Sequence, residues 1–585
     1  MTQYVTHISD LHKSLEVLKT KKIVGLDTET SGLDPHTEKL LLIQIGDKRD
    51  QFVYDVHALG KDINELSIIL ENESIIKVLH NAKFDLKFLG VHTNIKCNSI
   101  RCTMICGQLL YAGKRTSHSL KNSLDRHLGI MADKEEQKSF IGMTPGEDFT
   151  KGQIQYAAKD VLHLNDLYSH LEKLLNERSM LDLMDLEMET IYATCDLELN
   201  GIYLDGEKWM ALKNTAEKEM ISAKSELDSH FIKHCEVDMF GGVTVNYNSP
   251  KQLKPLLEKI TGVSLESTSV SALKKISHPV IISLLKYREH TKKLTTYGEE
   301  FLNNHVSKAT GRVHSDFIQL GADSGRYASR NPNMTNIPSD ERYRAAFTVQ
   351  NEDYQMISAD FSGQELRLLA HLSKEPNFIK ALDAGIDLHT NSASLIFGIP
   401  YGDVKKEQRT AAKGLTFGLI YGIGPKKLSE NLDISYDDAR KLMDKYYRTF
   451  PEIKSLLDRL VAQARKTHIA KSPLDNRQRD LTTFDWFNRR EVSHALNITK
   501  NLPFQGAGAS VTKKALCLIR TEFIKHELDA KIVNVIHDEI VVEAHKTCAE
   551  QASKIVKDGM IDAFKFFAPD VPMEVNPALS NCWVH

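Results

Sequence analysis

Three short stretches near the N-terminus carry acids at spacings that suit metal chemistry. "GLDTETSGLD" holds Asp27 and Glu29 at i and i+2, and in a strand both side chains leave the same face. "HNAKFDLKFL" supplies Asp85, and "YAAKDVLHL" supplies Tyr156 and Asp160, which are neighbours at i, i+4 on a helix. Four acids converging on one spot repel, each pair by about 4 kcal/mol at about 4 Å in a protein-like dielectric. Two divalent metals reverse that balance. Such a pair also serves phosphodiester hydrolysis, one metal at the attacking water and one at the leaving oxygen. Taken alone, Asp-x-Glu reads better as a solvated strand end.

The second half holds another set. In "SADFSGQELRLLAH", Asp360 closes an apolar strand-like run, although a lone Asp there is also a common helix cap. "QRTAAKGLTFGLIYG" repeats Arg409, Lys413, Phe417 and Tyr421 every four residues, so they drift slowly over one broad helix face. Two cations followed by two aromatics suit a nucleoside triphosphate, with phosphates at one end and sugar and base at the other. Gly414, Gly418 and Gly422 cost about 1 kcal/mol each inside a helix, which points to close approach of another backbone or to a moving element. In "KIVNVIHDEIVVEA", His537, Asp538 and Glu539 interrupt apolar β-like runs. Asp538 with Asp360 would make a two-metal site at a sheet edge. Glu539 would turn away, because neighbours in extended chain diverge. A polar hairpin tip is the alternative, weakened by the lack of Asn-Gly turn formers.

The elements that must position these residues follow from length and pattern. A chain of 585 residues is too long for one core and implies two to four domains. The net charge of −3 neither supports nor excludes nucleic acid, since such enzymes confine positive charge to a groove. Cys97, Cys102 and Cys106 cluster without a C-x-x-C pair, so free thiols in a reducing compartment are expected rather than zinc. The N-terminus lacks a signal-peptide pattern, and no apolar run is long enough to span a bilayer. The expected setting is the cytoplasm, or an organelle interior after processing, with no membrane contact. Residues 22–56 read as β, and the chain to about Arg178 as α/β. From about Ser179 to Lys308 it reads as helical, with Ser249 as a cap, Pro250 at the first helical position and a long helix over 281–305. A second α/β region starts near Gln355, with a mostly helical insert from His371 to Leu516.

Asp-x-Glu, Asn81-x-x-x-Asp85 and Tyr156-x-x-x-Asp160, in this order, resemble the 3′–5′ exonucleases with four acids and a tyrosine. By that resemblance Asp27, Glu29, Asp85 and Asp160 hold metals, Tyr156 orients water, and Leu33 wedges against the terminal base. "DFSGQELRLLAH", "RTAAKGLTFGLIYG" and "VIHDEIVV" resemble the three motifs of family A DNA polymerases. "SGRYASRNPNMTNIP" resembles the family's primer-template segment, and "NLPFQGAGASVTKKA" its later DNA-contact helix. The fold implied is multidomain α/β: a ribonuclease H-like exonuclease over 1–178 and a right-hand polymerase over 179–585. Its thumb would span about 195–312, its palm 313–370 and 517–585, and its fingers 371–516, with the family's 5′-nuclease domain expected to be missing. The resemblance implies that Asp360, Asp538 and the Phe361 backbone hold two magnesium ions, for which manganese can substitute. Glu539 is carried over with the catalytic set. Arg409, Lys413 and His389 bind the triphosphate, and Lys413 is the proton donor to pyrophosphate. Phe417 stacks near sugar and base, Tyr421 sits by the templating base, and Glu365 fills the space of a ribose 2′-hydroxyl. Arg326, Gln505, Asn333 and His537 are carried over as DNA contacts, the first two in the minor groove, where every correct pair presents acceptors. Two departures stand out: Asn497 and Asp340 occupy places where bacterial members have Arg, with Arg342 or Arg344 expected to compensate. The implied partners are primer-template DNA, dNTPs and replication proteins (helicase, primase, single-strand binding protein), acting on a monomer.

Overall fold

The structure, a computed structural model, describes residues 2–131, 138–239, 242–338 and 340–584. Its N-terminal unit is built on a mixed six-stranded sheet of β1 (Thr2–Val5), β2 (Ile23–Thr30), β3 (Leu40–Gly46), β4 (Gln51–Asp55), β5 (Ile76–Leu79) and β6 (Ile100–Cys102). The spatial order is β1-β4-β3-β2-β5-β6, with β3 antiparallel to both its neighbours and the other pairs parallel. Every residue of β3 and β4 is buried, because helices cover both faces, which explains their near-continuous apolar runs. Helix Lys151–Asp160 lies on β2, β3 and β4, and helix Leu164–Glu177 on β2 and β5.

Helix Leu181–Asn200 joins this unit to the rest and touches helix Ala82–His92, helix Arg489–Lys525 and the strand Ala530–Ile536. Its polar residues Glu187, Thr190, Thr194 and Glu198 are buried and therefore need partners. Glu198 receives Lys83 and Lys87, each at 2.6 Å, and Lys83 also reaches Asp316 at 2.6 Å and the Phe317 carbonyl at 2.9 Å. Glu187 receives Arg477 at 2.9 Å and Lys513 at 2.7 Å.

The second sheet contains β7 (Tyr354–Asp360), β8 (Ala530–Ile536), β9 (Glu539–His545) and β10 (Ala578–Ser580), in the order β8-β9-β7-β10 and antiparallel throughout. Helices Gly206–Phe231 and Pro279–Tyr297 pack together as an arm. Ser249 and Pro250 begin a helix as expected. The expected helix over 281–305 instead breaks at Gly298, whose backbone is extended. A Cβ there would lie 2.4 Å from the Leu294 carbonyl, and the Gly298 carbonyl accepts from the buried Trp209 indole at 3.3 Å. The insert after β7 is helical, with one small hairpin, Ile469–Lys471 with Gln478–Asp480. Its last helix, Arg489–Lys525, has 37 residues and is about 55 Å long. The expected limits at 195 and 516/517 fall inside helices, so neither is a break in the chain's structure. The limit at 178/179 falls between two helices.

Candidate active sites

In the N-terminal unit, β2 carries Asp27 and Glu29 on one face, and helix Lys151–Asp160 brings Asp160 to them. The helix start is set by a capping box between Thr150 and Gln153. Its end can lie against β2 because Gly25 has no Cβ, which would meet the Val161 carbonyl at 2.7 Å. Carboxylate oxygens of Asp27, Glu29 and Asp160 lie within 4.8 Å of one another. Asp85, on helix Ala82–His92, accepts from Thr28 Oγ1 at 2.7 Å. Burial, reinforced by mutual repulsion, raises Asp27 and Glu29 well above the carboxylate range. Burial likewise pushes Asp85 up to about 7, against the Thr28 hydrogen bond. The Tyr156 hydroxyl donates to Asp160, and burial followed by the neighbouring carboxylates raises its pKa. Leu33 stands 77% exposed. A desolvated, mutually repelling oxygen set of this kind fits a divalent cation.

In the second unit, Asp360 ends β7 and pairs in register with Glu539, the first residue of β9. Ile536 also pairs with Glu539 across β8 and β9, so His537 and Asp538 form a two-residue hairpin turn. "HDE" is therefore a hairpin tip after all. Asn-Gly is not needed, because His537 itself adopts φ 55°. Neighbouring strands run about 4.8 Å apart, so Asp360 and Asp538 stand at the same end of two adjacent strands. Burial raises Asp538, with the Arg326 charge opposing it and the Glu365 charge adding to it. Phe361, next to Asp360, is buried and bridges to Val575.

Helix Lys406–Ile420 presents Arg409, Lys413 and Phe417, with Tyr421 as its C-cap. The rings of Phe417 and Tyr421 stack at 6.1 Å, and His389 lies 5.7 Å from Phe417. Burial pushes His389 down to about 4, helped by Arg409 and Lys413, so it is neutral at pH 7. Arg409 makes a two-pronged pair with Asp387, Nε to Oδ1 and Nη2 to Oδ2, both at 2.9 Å. Glu365 accepts from Arg326 at 2.5 Å and from the Tyr421 hydroxyl at 2.6 Å, and Gln505 hydrogen-bonds the same hydroxyl. Asn333 caps a short turn through Thr335 at 3.0 Å. The glycines are only partly as expected. A Cβ at Gly418 would meet the Ile423 side chain at 2.3 Å and one at Gly422 the Asn497 amide at 2.3 Å, while at Gly414 the nearest atom is 3.9 Å away. Side chains rather than another backbone approach most closely.

Residues 215–585 match the family model described as DNA polymerase family A. The chain belongs to DNA polymerase family A. Residues 2–176 match the model described as 3′-5′ exonuclease. The chain is 31% identical to DNA polymerase I of Aquifex aeolicus, with 99% of each chain covered. It is 30% identical to DNA polymerase I of Borreliella burgdorferi, covering 99% of this chain and 64% of that protein. Among solved structures, the POL domain of Pol1 from M. smegmatis, in complex with DNA primer-template and dNTP, has a TM-score of 0.86 at 25% identity, covering 100% of this chain and 99% of that one. This family A member is thus a DNA-directed DNA polymerase with a 3′–5′ exonuclease domain. No helix among its described residues is long and apolar enough to cross a membrane.

Several residues of this family A chain escaped the sequence reading. Thr28 lies between Asp27 and Glu29 but serves Asp85. Asp387, which precedes helix Leu388–Phe397 and accepts from Thr390 N at 2.7 Å, reads as a cap, and nothing in its spacing signals the pair with Arg409. Glu539 is 3% exposed and is held by Trp583 Nε1 at 2.6 Å and Arg344 Nη1 at 3.4 Å. Arg344 also lies 4.7 Å over the Trp583 ring. Neither arginine expected to stand in at 340 is unengaged, because Arg342 pairs with Asp340 itself at 2.6 Å.

Proposed function

We propose that the exonuclease occupies 1–178, and that about 195–312 form the thumb, 313–370 and 517–585 the palm, and 371–516 the fingers. In this reading each catalytic unit takes two magnesium ions, with manganese able to substitute. Asp27, Glu29, Asp85 and Asp160 would hold one pair; Asp360, Asp538 and the Phe361 carbonyl would hold the other. When bound, the ions supply charge neutralisation and activation of the attacking oxygen. Tyr156 orients the attacking water at the exonuclease site, and Leu33 packs against the terminal base of the primer. At the polymerase site Arg409 and Lys413 bind the triphosphate, and Lys413 gives its proton to the departing pyrophosphate. His389, neutral at pH 7, donates a ring N–H to a phosphate oxygen. Phe417 and Tyr421 flank the nascent pair. Glu365, anchored by Arg326 and Tyr421, fills the place of a 2′-hydroxyl and so favours deoxyribonucleotides. Arg326 and Gln505 read minor-groove acceptors near the primer end. Asn333 and His537 contact the DNA nearby. Glu539 acts from behind the hairpin turn. The partners are primer-template DNA, dNTPs and replication proteins of the helicase, primase and single-strand-binding classes, met by a monomer inside the cell.

The observation that supports this reading most directly is the register that pairs Asp360 with Glu539 and so sets Asp538 beside Asp360. Asp538→Asn tests it. Primer extension should fall by about a thousandfold or more, while degradation of a mismatched primer end continues. Extension at the parent rate would refute the assignment.

A further inference from the structure

Phe487 is 99% exposed. It sits in a turn with internal hydrogen bonds. Its amide donates to Asp485 Oδ1 at 2.9 Å, the Asp485 amide donates to Glu491 Oε2 at 2.7 Å, and the preceding Trp486 stacks on His468 at 4.5 Å. Asn488 then caps helix Arg489–Lys525. Its first two residues, Arg489 and Arg490, are exposed and have no ion-pair partner among the described residues. A fully exposed phenyl ring in an ordered turn, beside two unpaired guanidinium groups, gives the fold nothing. It matches what single-stranded nucleic acid requires: an aromatic face for a base and cations for the backbone.

The helix indicates which strand. Running towards its N-terminus, it passes Gln505, bonded to Tyr421, and then Asn497, packed on Gly422 directly after Tyr421. Gln505 to Asn497 is about 12 Å along the axis, and Asn497 to Arg489 about 12 Å more. The turn therefore lies beyond the templating position on the side away from the primer-end contact. That further 12 Å is about three or four nucleotides at 3.4 Å per strand. We propose that Phe487, Arg489 and Arg490 form a platform for the unpaired template strand a few nucleotides ahead of the templating base. The ring would stack on a base and the arginines would neutralise flanking phosphates. The proposal rests on the placement of the template beside Tyr421 given above.

The test is the affinity of the full chain, in EDTA to stop degradation, for primer-templates with one-nucleotide and six-nucleotide template overhangs. Phe487→Ala should weaken binding of the long overhang about tenfold and match the parent on the short one. Phe487→Trp should restore the difference. Arg489→Ala with Arg490→Ala should reduce the slope of log affinity against log salt by about 1.4, on the long overhang only. Equal losses on both substrates, or none on either, would overturn the platform, with melting temperatures confirming that the variants are folded. A parent protein that fails to bind even the short overhang would indict the polymerase reading instead.

Discussion

The two acid sites solve opposite problems. In the exonuclease unit three carboxylates crowd within 4.8 Å, and burial and repulsion raise Asp27 and Glu29. In the polymerase unit the groups proposed to meet substrate already have internal partners: Asp387 holds Arg409, and Glu365 holds Arg326 and Tyr421. The first site gathers carboxyl groups whose repulsion is relieved by retained protons in the metal-free fold and would be relieved by cations when they bind. At the second, these groups are already paired, so in the proposed reading an incoming nucleotide would replace existing pairs and be selected by how well it does so.

The largest test of that contrast is Asp27→Asn with Glu29→Gln. Degradation of a mismatched primer end should fall about a thousandfold or more, with extension within about twofold of the parent. Parallel loss of extension would show that the two sites are not independently charged. A smaller effect is expected behind the polymerase hairpin. Trp583→Phe keeps the ring beneath Arg344 but removes the indole donor to Glu539. Hydrogen bonds to charged groups are worth about 1.5–3 kcal/mol, so kcat for extension should fall roughly ten- to a hundredfold with little change in KM for dNTP and normal exonuclease activity. A rise in KM alone would place the clamp in substrate binding rather than in holding the hairpin. The smallest effect concerns stability. Asp85 titrates near 7 in the fold against about 4 unfolded, so the folded state keeps its proton longer. Its contribution is nil below about pH 4 and increasingly destabilising as pH rises towards 7, then constant. In EDTA, Asp85→Asn should therefore gain melting temperature over the parent between pH 4 and 7. A gap that does not change with pH would mean that Asp85 is not held protonated.

The sequence pattern made much of this legible, for reasons tied to spacing. Asp27 and Glu29 share a face because strands alternate, and Tyr156 reaches Asp160 because helices repeat at four. Ser249 and Pro250 start a helix where local rules place one, although the Ser249 side chain makes no capping hydrogen bond. Long-range partners were not legible. Trp583 and Glu539 are 44 residues apart, and only the pairing of β7 with both β9 and β10 brings the chain's end behind the hairpin. The break at Gly298 depends on Trp209, whose indole needs an acceptor. His537 misled because a left-handed residue in a two-residue turn is usually Asn or Gly.

Lys83 sits two residues before Asp85 and grips both the joining helix, through Glu198, and the strand that leads towards Arg326, through Asp316. Cutting and copying are thus done by stations bolted to one frame. In the proposed reading a mispaired primer end would pass between stations joined at this seam by the Lys83 ion pairs.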